Sequence, residues 1–225
     1  ALPIYIVDRT NKYGQSNIKT KNSFINSNLN FNAWENGISR LEFPIGSQWY
    51  SVRVWDRVPQ KSLMDGTYTD SCTALDKRFG SSMAKYMLNK AINVIEVRDD
   101  KDKVVGQSRC FVGKVNGKQS MIIENMEINK NFLNEIVTNH AEQEYVDNIL
   151  DYIEEFSDAV GGENMPVYMS ANYMKLDDDV MKDYSKIKAS IALTGDIASD
   201  KIYMNTYQME VNPKTIAGRD AELYV

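Results

Sequence analysis

The sequence predicts an α+β fold: a mixed central sheet with helices laid on it and an irregular N-terminal arm. Three observations carry this. Strand-like runs between Ile92 and Ile128 are joined by tight turns, as in an antiparallel meander. Helical and strand patterns then alternate from Asn139 to about Val211, giving helix, strand, helix and a closing hairpin. The first 45 residues show neither period and are dense in Asn, Ser and Lys, which favour turns and local side-chain bonds.

The arm, residues 1–45, carries Phe24, Ile25, Leu29, Phe31 and Trp34 scattered through polar sequence. These aromatics predict an extended segment that wraps the main domain; the alternative is an arm that joins copies into a homo-oligomer. The main domain is placed at 46–212 and a C-terminal tail at 213–225. Within the domain, WYSVRVWDRV alternates Tyr50, Val52 and Val54 against Ser51 and Arg53, a strand pattern. SMAKYMLNKA spaces Met83, Tyr86 and Met87 as a short amphipathic helix capped by Ser81 or Ser82.

The meander follows as INVIEV, the charged turn RDDKDK, and VVGQSRCFVGKV. Asn116–Gly117 then marks a two-residue hairpin, because both positions tolerate positive φ, and QSMIIENMEI completes the set. The best helix is AEQEYVDNILDYIEEFSDAVGG, with an apolar stripe of Tyr145, Ile149, Ile153, Phe156 and Val160. Asn139 and Glu142 suggest a capping box at its start and Gly161–Gly162 a stop. MPVYMSA reads as a buried strand and DDDVMKDYSKI as a second helix with acids at its N-terminus. ASIALTGD and KIYMNTYQMEV read as a hairpin.

Composition bounds the function. Hydrophobic residues are 43% and charged residues 25%, and thirteen tyrosines and three tryptophans belong to a folded chain. A net charge of −5 and no basic stripe with interleaved aromatics exclude nucleic acid and an anionic membrane as expected partners. No apolar run approaches membrane-spanning length, and ALPIYIVDRTNKYG lacks the pattern of a signal peptide. Cys72 and Cys110 are too few to staple the chain, so reduced thiols and a cytoplasmic setting are expected. One histidine cannot build a zinc site, no acidic run has calcium-loop spacing, and nucleotide-binding glycine motifs are absent; no metal is expected.

Two candidates come from the residues themselves. Cys72 sits at a loop-to-helix position in GTYTDSCTALD, where a helix N-terminus can lower a thiol pKa, and His140 is the one histidine available as its base. The alternative is a small buried hydrophobe and a solvated histidine. Glu124 and Glu127 lie three apart near the end of a central strand; strict alternation turns them to opposite faces, and a β-bulge would change that.

The order of elements over about 48–211 resembles the GCN5-related N-acetyltransferase (GNAT) fold. In that family an apolar residue ends the fourth strand, an aromatic follows, and a glycine turn opens the main helix. Backbone N–H groups of the turn hold the acyl-CoA pyrophosphate. Here Ile128 and Phe132 match the first two features, and LNEIVTNHAEQE replaces the glycine turn, with Glu135, Glu142 and Glu144 close by. The resemblance implies acetyl-CoA or another acyl-CoA as donor and an amine as acceptor. Glu124 or Glu127 would be the base that deprotonates the amine, with Asn125 in the polar floor beside Glu124. Tyr184 in DYSKI, with Tyr173 as rival, would be the acid for the departing thiolate. Ile128, Asn139, His140 and Ala141 are the positions at which a bound cofactor would be touched. For Asn131–Asn139 no pyrophosphate cradle is expected, since only its asparagines tolerate positive φ; Ile136 and Val137 are expected to pack under the helix. The alternative function is a non-catalytic binding or structural module on the same scaffold, with a protein partner.

Overall fold

A computed structural model describes residues 2–69, 71, 73–74, 76–77, 81–170, 186–195, 202–204, 209–211 and 219–224. The arm is helical rather than extended. Helix α1 spans Leu2–Asn26 and α2 Phe31–Asn36, the latter capped by Asn30, whose side chain accepts the Ala33 N–H. Buried Tyr13, Ser16, Thr20 and Phe24 recur at about one helical turn, which is why this polar segment coils. Its aromatics do enter the core: Phe24, Phe31 and Trp34 pack together, and Trp34 stacks on Phe156 at 5.9 Å.

The sheet begins with a hairpin of β1 (Leu41–Ile45) and β2 (Gln48–Val54). Short helices α3 (Pro59–Ser62), α4 (Asp65–Tyr68) and α5 (Ser81–Leu88) lead into β3 (Asn93–Asp99), β4 (Val104–Val115) and β5 (Lys118–Ile123). This is the expected meander, and Asn116 (φ 50°) and Gly117 (φ 86°) turn it between Val115 and its partner Lys118. A two-residue strand β6 (Glu127–Ile128) resumes the pairing with β4. Helices α6 (Lys130–Thr138) and α7 (Glu142–Gly161) follow, then β7 (Val167–Ser170), which runs parallel to β5.

The C-terminal part departs from expectation. β8 (Lys186–Leu193) does not form a hairpin with β9 (Ile202–Met204); β9 pairs with β10 (Met209–Val211) in a separate small sheet. The segment read as a tail holds β11 (Arg219–Tyr224), which lies between β7 and β8. Sheet order is therefore β1-β2-β3-β4-β5-β7-β11-β8, and β8 also returns to the C-terminal half of β4, so the sheet curls. The helix read in DDDVMKDYSKI has given way to β8 by Lys186; the rest of it lies outside the described residues.

Alternation gives the sheet two different faces. Val52, Val54, Ile95 and Val97 share one face, covered by α7, whose Tyr145, Ile149, Tyr152, Ile153 and Phe156 are all fully buried. The Tyr152 hydroxyl accepts the Val54 N–H at 2.8 Å, pinning helix to sheet. The other face, under α4 and α5, is polar: Arg53, Glu96 and Gln107 are successive register partners across β2, β3 and β4. Gly162 (φ 83°) ends α7, as expected of the glycine pair.

Candidate functional site

The sheet breaks its rhythm between β5 and β6. The Arg109 carbonyl accepts the Glu124 N–H at 2.8 Å and Gln107 is the register partner of Glu127, so Ser108 alone opposes Asn125 and Met126. One extra residue on that strand is a β-bulge. Residues directly across a ladder share a face, and Gln107 and Arg109 are two apart; Glu124 and Glu127 therefore point to the same, polar face. The bulge supplies what plain alternation denied.

The two carboxylates meet different neighbours. Glu124 is fully buried and ion-paired to Nε of Arg109. Burial would lower the Arg109 pKa, but Glu124, Tyr86 and Glu127 more than offset it, and the guanidinium stays charged. It lies 5.1 Å from the Tyr86 ring centroid. Glu127 is 8% exposed and its Oε2 takes only a long contact, 3.4 Å, from Nε2 of Gln107. That amide also donates to Thr69 Oγ1 at 3.0 Å, and the Thr69 hydroxyl donates to the Asp65 carbonyl at 2.9 Å. Asn125 is buried beside them.

The connection to α7 is a folded helix, not a loop. Asn129 caps α6 by accepting the Phe132 N–H at 2.8 Å. Phe132 packs between Tyr50 (4.5 Å) and Tyr145 (5.5 Å), and the Tyr50 hydroxyl donates to Glu135 at 2.6 Å. Burial and then the Glu135 bond push the Tyr50 pKa up. Ile136 is fully buried as expected, whereas Val137 is 49% exposed and does not pack. At the helix end, His140 (φ 52°) donates to Val137 O at 3.2 Å and Ala141 to Ile136 O at 3.0 Å. These two bonds form a Schellman motif around a left-handed residue.

The expected capping box is absent: Ala141, not Asn139, is the N-cap of α7, and the Asn139 side chain donates to the Glu135 carbonyl at 2.8 Å. The amides of Asn139, His140 and Ala141 are all spent on carbonyls of α6. Ile128 is half-buried against Gly106 on β4. An acyl-CoA pyrophosphate therefore finds no cradle of free amides at 139–141, and Glu135, Glu142 and Glu144 are close in sequence to that turn. Cys72, Tyr173 and Tyr184 lie outside the described residues, so no Cys72–His140 or Tyr184 geometry enters here. Among the described residues, no group of His, Cys, Asp and Glu could hold a metal, and no helix is long and apolar enough to cross a membrane. Cys110 is a free, buried thiol whose pKa burial pushes up.

Sequence reading missed Gln107 and Arg109, and met Thr69 only within the GTYTDSCTALD stretch clustered around Cys72. The signal was present: Gln107 and Arg109 stand two apart in the long strand run VVGQSRCFVGKV, in phase with each other and with no charge alternation to explain them.

No protein-family profile matches the chain, and no curated protein does. Among the solved structures that are similar, three are acetyltransferases or contain an acetyltransferase region. A GCN5-related glucosamine N-acetyltransferase region in a fungal multi-domain beta-N-acetylglucosaminidase shares 14% identity over 60% of this chain, at TM-score 0.35. This chain spans 15% of the length of that protein. An aminoglycoside antibiotic 6′-N-acetyltransferase from Acinetobacter baumannii shares 8% over 60% of this chain and 85% of its own, at TM-score 0.34. A ribosomal-protein-S5-alanine acetyltransferase from Vibrio fischeri shares 10% over 83% of this chain and 95% of its own, at TM-score 0.42. These likenesses are distant, and the architecture speaks through its own topology. An antiparallel meander, a bulged strand running into α6 and a parallel β5–β7 pair give the chain a GNAT-like fold.

Proposed function

We propose that the chain is a divergent acyltransferase that moves an acyl group from acyl-CoA to an amine. The bulge that turns Glu127 to the same face as Gln107 and Thr69 supports this reading. Glu124 is committed to Arg109 and cannot leave it without stranding a buried charge. Glu127 has the weaker contact, so it is the carboxylate available to take a proton from an ammonium substrate, leaving a neutral amine with a free electron pair. Gln107, anchored on Thr69, holds the Glu127 carboxylate in place. The donor supplies the activated acyl group. Its pyrophosphate does not fit the 139–141 turn, so any affinity must come from other contacts.

A second reading, a non-catalytic module with a protein partner, is favoured by that same closed turn. Calorimetry and thermal shift with millimolar acetyl-CoA, followed by an amine panel, separate the two. Acyl-amine product that falls by about 10²–10⁴ in Glu127→Gln supports the enzyme. No heat, no shift and no product leave the second reading.

A further inference from the structure

Asp65, the first residue of α4, is fully buried, and neither oxygen of its carboxyl has a hydrogen-bond partner. Glu96 beside it gives Oε2 to Arg98 at 2.8 Å and leaves Oε1 without one. Two carboxylates set side by side away from water do not both ionise, because each raises the cost of the other's charge. One shared proton accounts for Glu96 Oε1 and for one Asp65 oxygen. Asp65 is its holder: burial first, then Glu96, push its carboxyl up to about 9, while Arg98 opposes and the more distant Asp56 adds to the rise. One Asp65 oxygen is left over.

Asp65 lies behind the wall of a cavity of about 260 Å³ beside the β3–β4 turn, lined with it by Lys61, Tyr68, Arg98, Lys101 and Lys103. Arg98 is 1% exposed; it is held by Glu96 and donates to the Asp102 carbonyl at 2.7 Å. Lys61 is paired with Asp102 at 2.6 Å. Lys103 lies 5.6 Å from the Tyr68 ring centroid, and neither it nor Lys101 has an ion-pair partner among the described residues. With Asp65 neutral, Lys61, Arg98, Lys101 and Lys103 face Asp102 alone across the wall, with Glu96 behind Arg98. Such a concave, net positive wall favours a negative ligand.

We propose that this cavity is a binding site for a small oxyanion, a carboxylate or a phosphate, held by Lys101 and Lys103 at its mouth with the Arg98 guanidinium behind them. The lysines supply point charges at the mouth, and Arg98, its N–H groups turned to Glu96 and the Asp102 carbonyl, adds its charge from behind them. Asp65 lies beneath the floor, shut from solvent, where its proton serves Glu96. The site is separate from Glu124 and Glu127 and stands whether or not the chain transfers acyl groups.

Isothermal calorimetry on the full chain, with inorganic phosphate and with acetate as separate probes, tests this. Saturable binding of at least one probe is expected near neutral pH, and the tighter one tells phosphate from carboxylate. The exposed pair Lys101→Met/Lys103→Met should weaken it about tenfold or more, and the distant Lys118→Met not at all. Wild-type binding should fade as pH passes about 9, as Asp65 becomes an anion facing Glu96, Asp102 and Asp56, while Asp65→Asn retains it there. Absence of saturable heat with both probes, or binding indifferent to the lysine pair, overturns the proposal.

Discussion

Gln107 on β4 and Glu127 on β6 face each other across the ladder, their side chains 3.4 Å apart, and the same Gln107 amide reaches Thr69 at 3.0 Å. One side chain thus ties the bulged strand to the α4 segment on the polar face. Replacing it by Leu keeps the volume and removes the donor. Gln107→Leu should lower stability by about 1–3 kcal/mol, the cost of stranding buried polar partners, read as a lower urea midpoint at unchanged slope.

The Arg109–Glu124 pair should behave asymmetrically. Glu124→Gln leaves a buried guanidinium without its counter-charge and should cost about 3–5 kcal/mol. Arg109→Met with Glu124→Leu removes both charges and should recover most of that loss. Urea unfolding of the single and double variants checks it; a double variant no better than the single would mean the pair itself stabilises the fold.

Asp65 gives the fold a pH slope of known sign. Its folded pKa is raised to about 9 from 3.8, so between those values the folded state keeps a proton that the unfolded state has lost. Stability from this group is therefore greatest at low pH and declines as pH rises toward about 9. Asp65→Asn cannot titrate. Comparing urea midpoints near pH 6 and pH 8.5 should show a smaller decline in the variant than in the wild type.

His140 sits in the left-handed region at the end of α6 and donates its N–H within the motif. Glycine adopts that conformation without the Cβ penalty, so His140→Gly should raise stability by up to about 1 kcal/mol. Thermal unfolding checks it; a large loss would mean that the imidazole, not the backbone, holds the turn.

Trp34 carries the arm into the core. It is fully buried against Phe24 and Phe156, and its indole N–H donates to the Lys90 carbonyl at 2.7 Å. Trp34→Ala should cost about 3–5 kcal/mol by cavity formation. A surface-arm reading would instead give a change near zero.

Local signals were legible and distant ones were not. Asn116–Gly117 announced its hairpin because two positive-φ positions are a property of those residues alone. The α7 stripe announced its buried face because apolar spacing survives any environment. The arm hid its helix because part of the buried face is Ser16 and Thr20, residues that read as turn formers until a neighbour covers them. The capping box failed because His140 turns the chain one residue later, a choice fixed by the packing of Phe132 and Ile136. For the site, the types and spacing of Glu124 and Glu127 were visible, but their common face depends on a bulge set by Gln107 and Arg109 across the ladder. β11 was invisible for the same reason: its partners on β7 are about 54 residues away in the chain, as Leu223 pairs with Ser170.

The return of β8 to β4 has a consequence for how copies of this chain meet. A sheet that stops short leaves an open rim of N–H and C=O groups, and such rims recruit strands from neighbours. Here β7, β11 and β8 are flanked on both sides, so the long open rim left by the described strands of this sheet is β1. That strand carries Pro44 near its centre, opposite Trp49, and proline has no N–H to offer a visitor. The rim is interrupted where an incoming strand would need it continuous, which disfavours edge-to-edge aggregation even when the protein is concentrated.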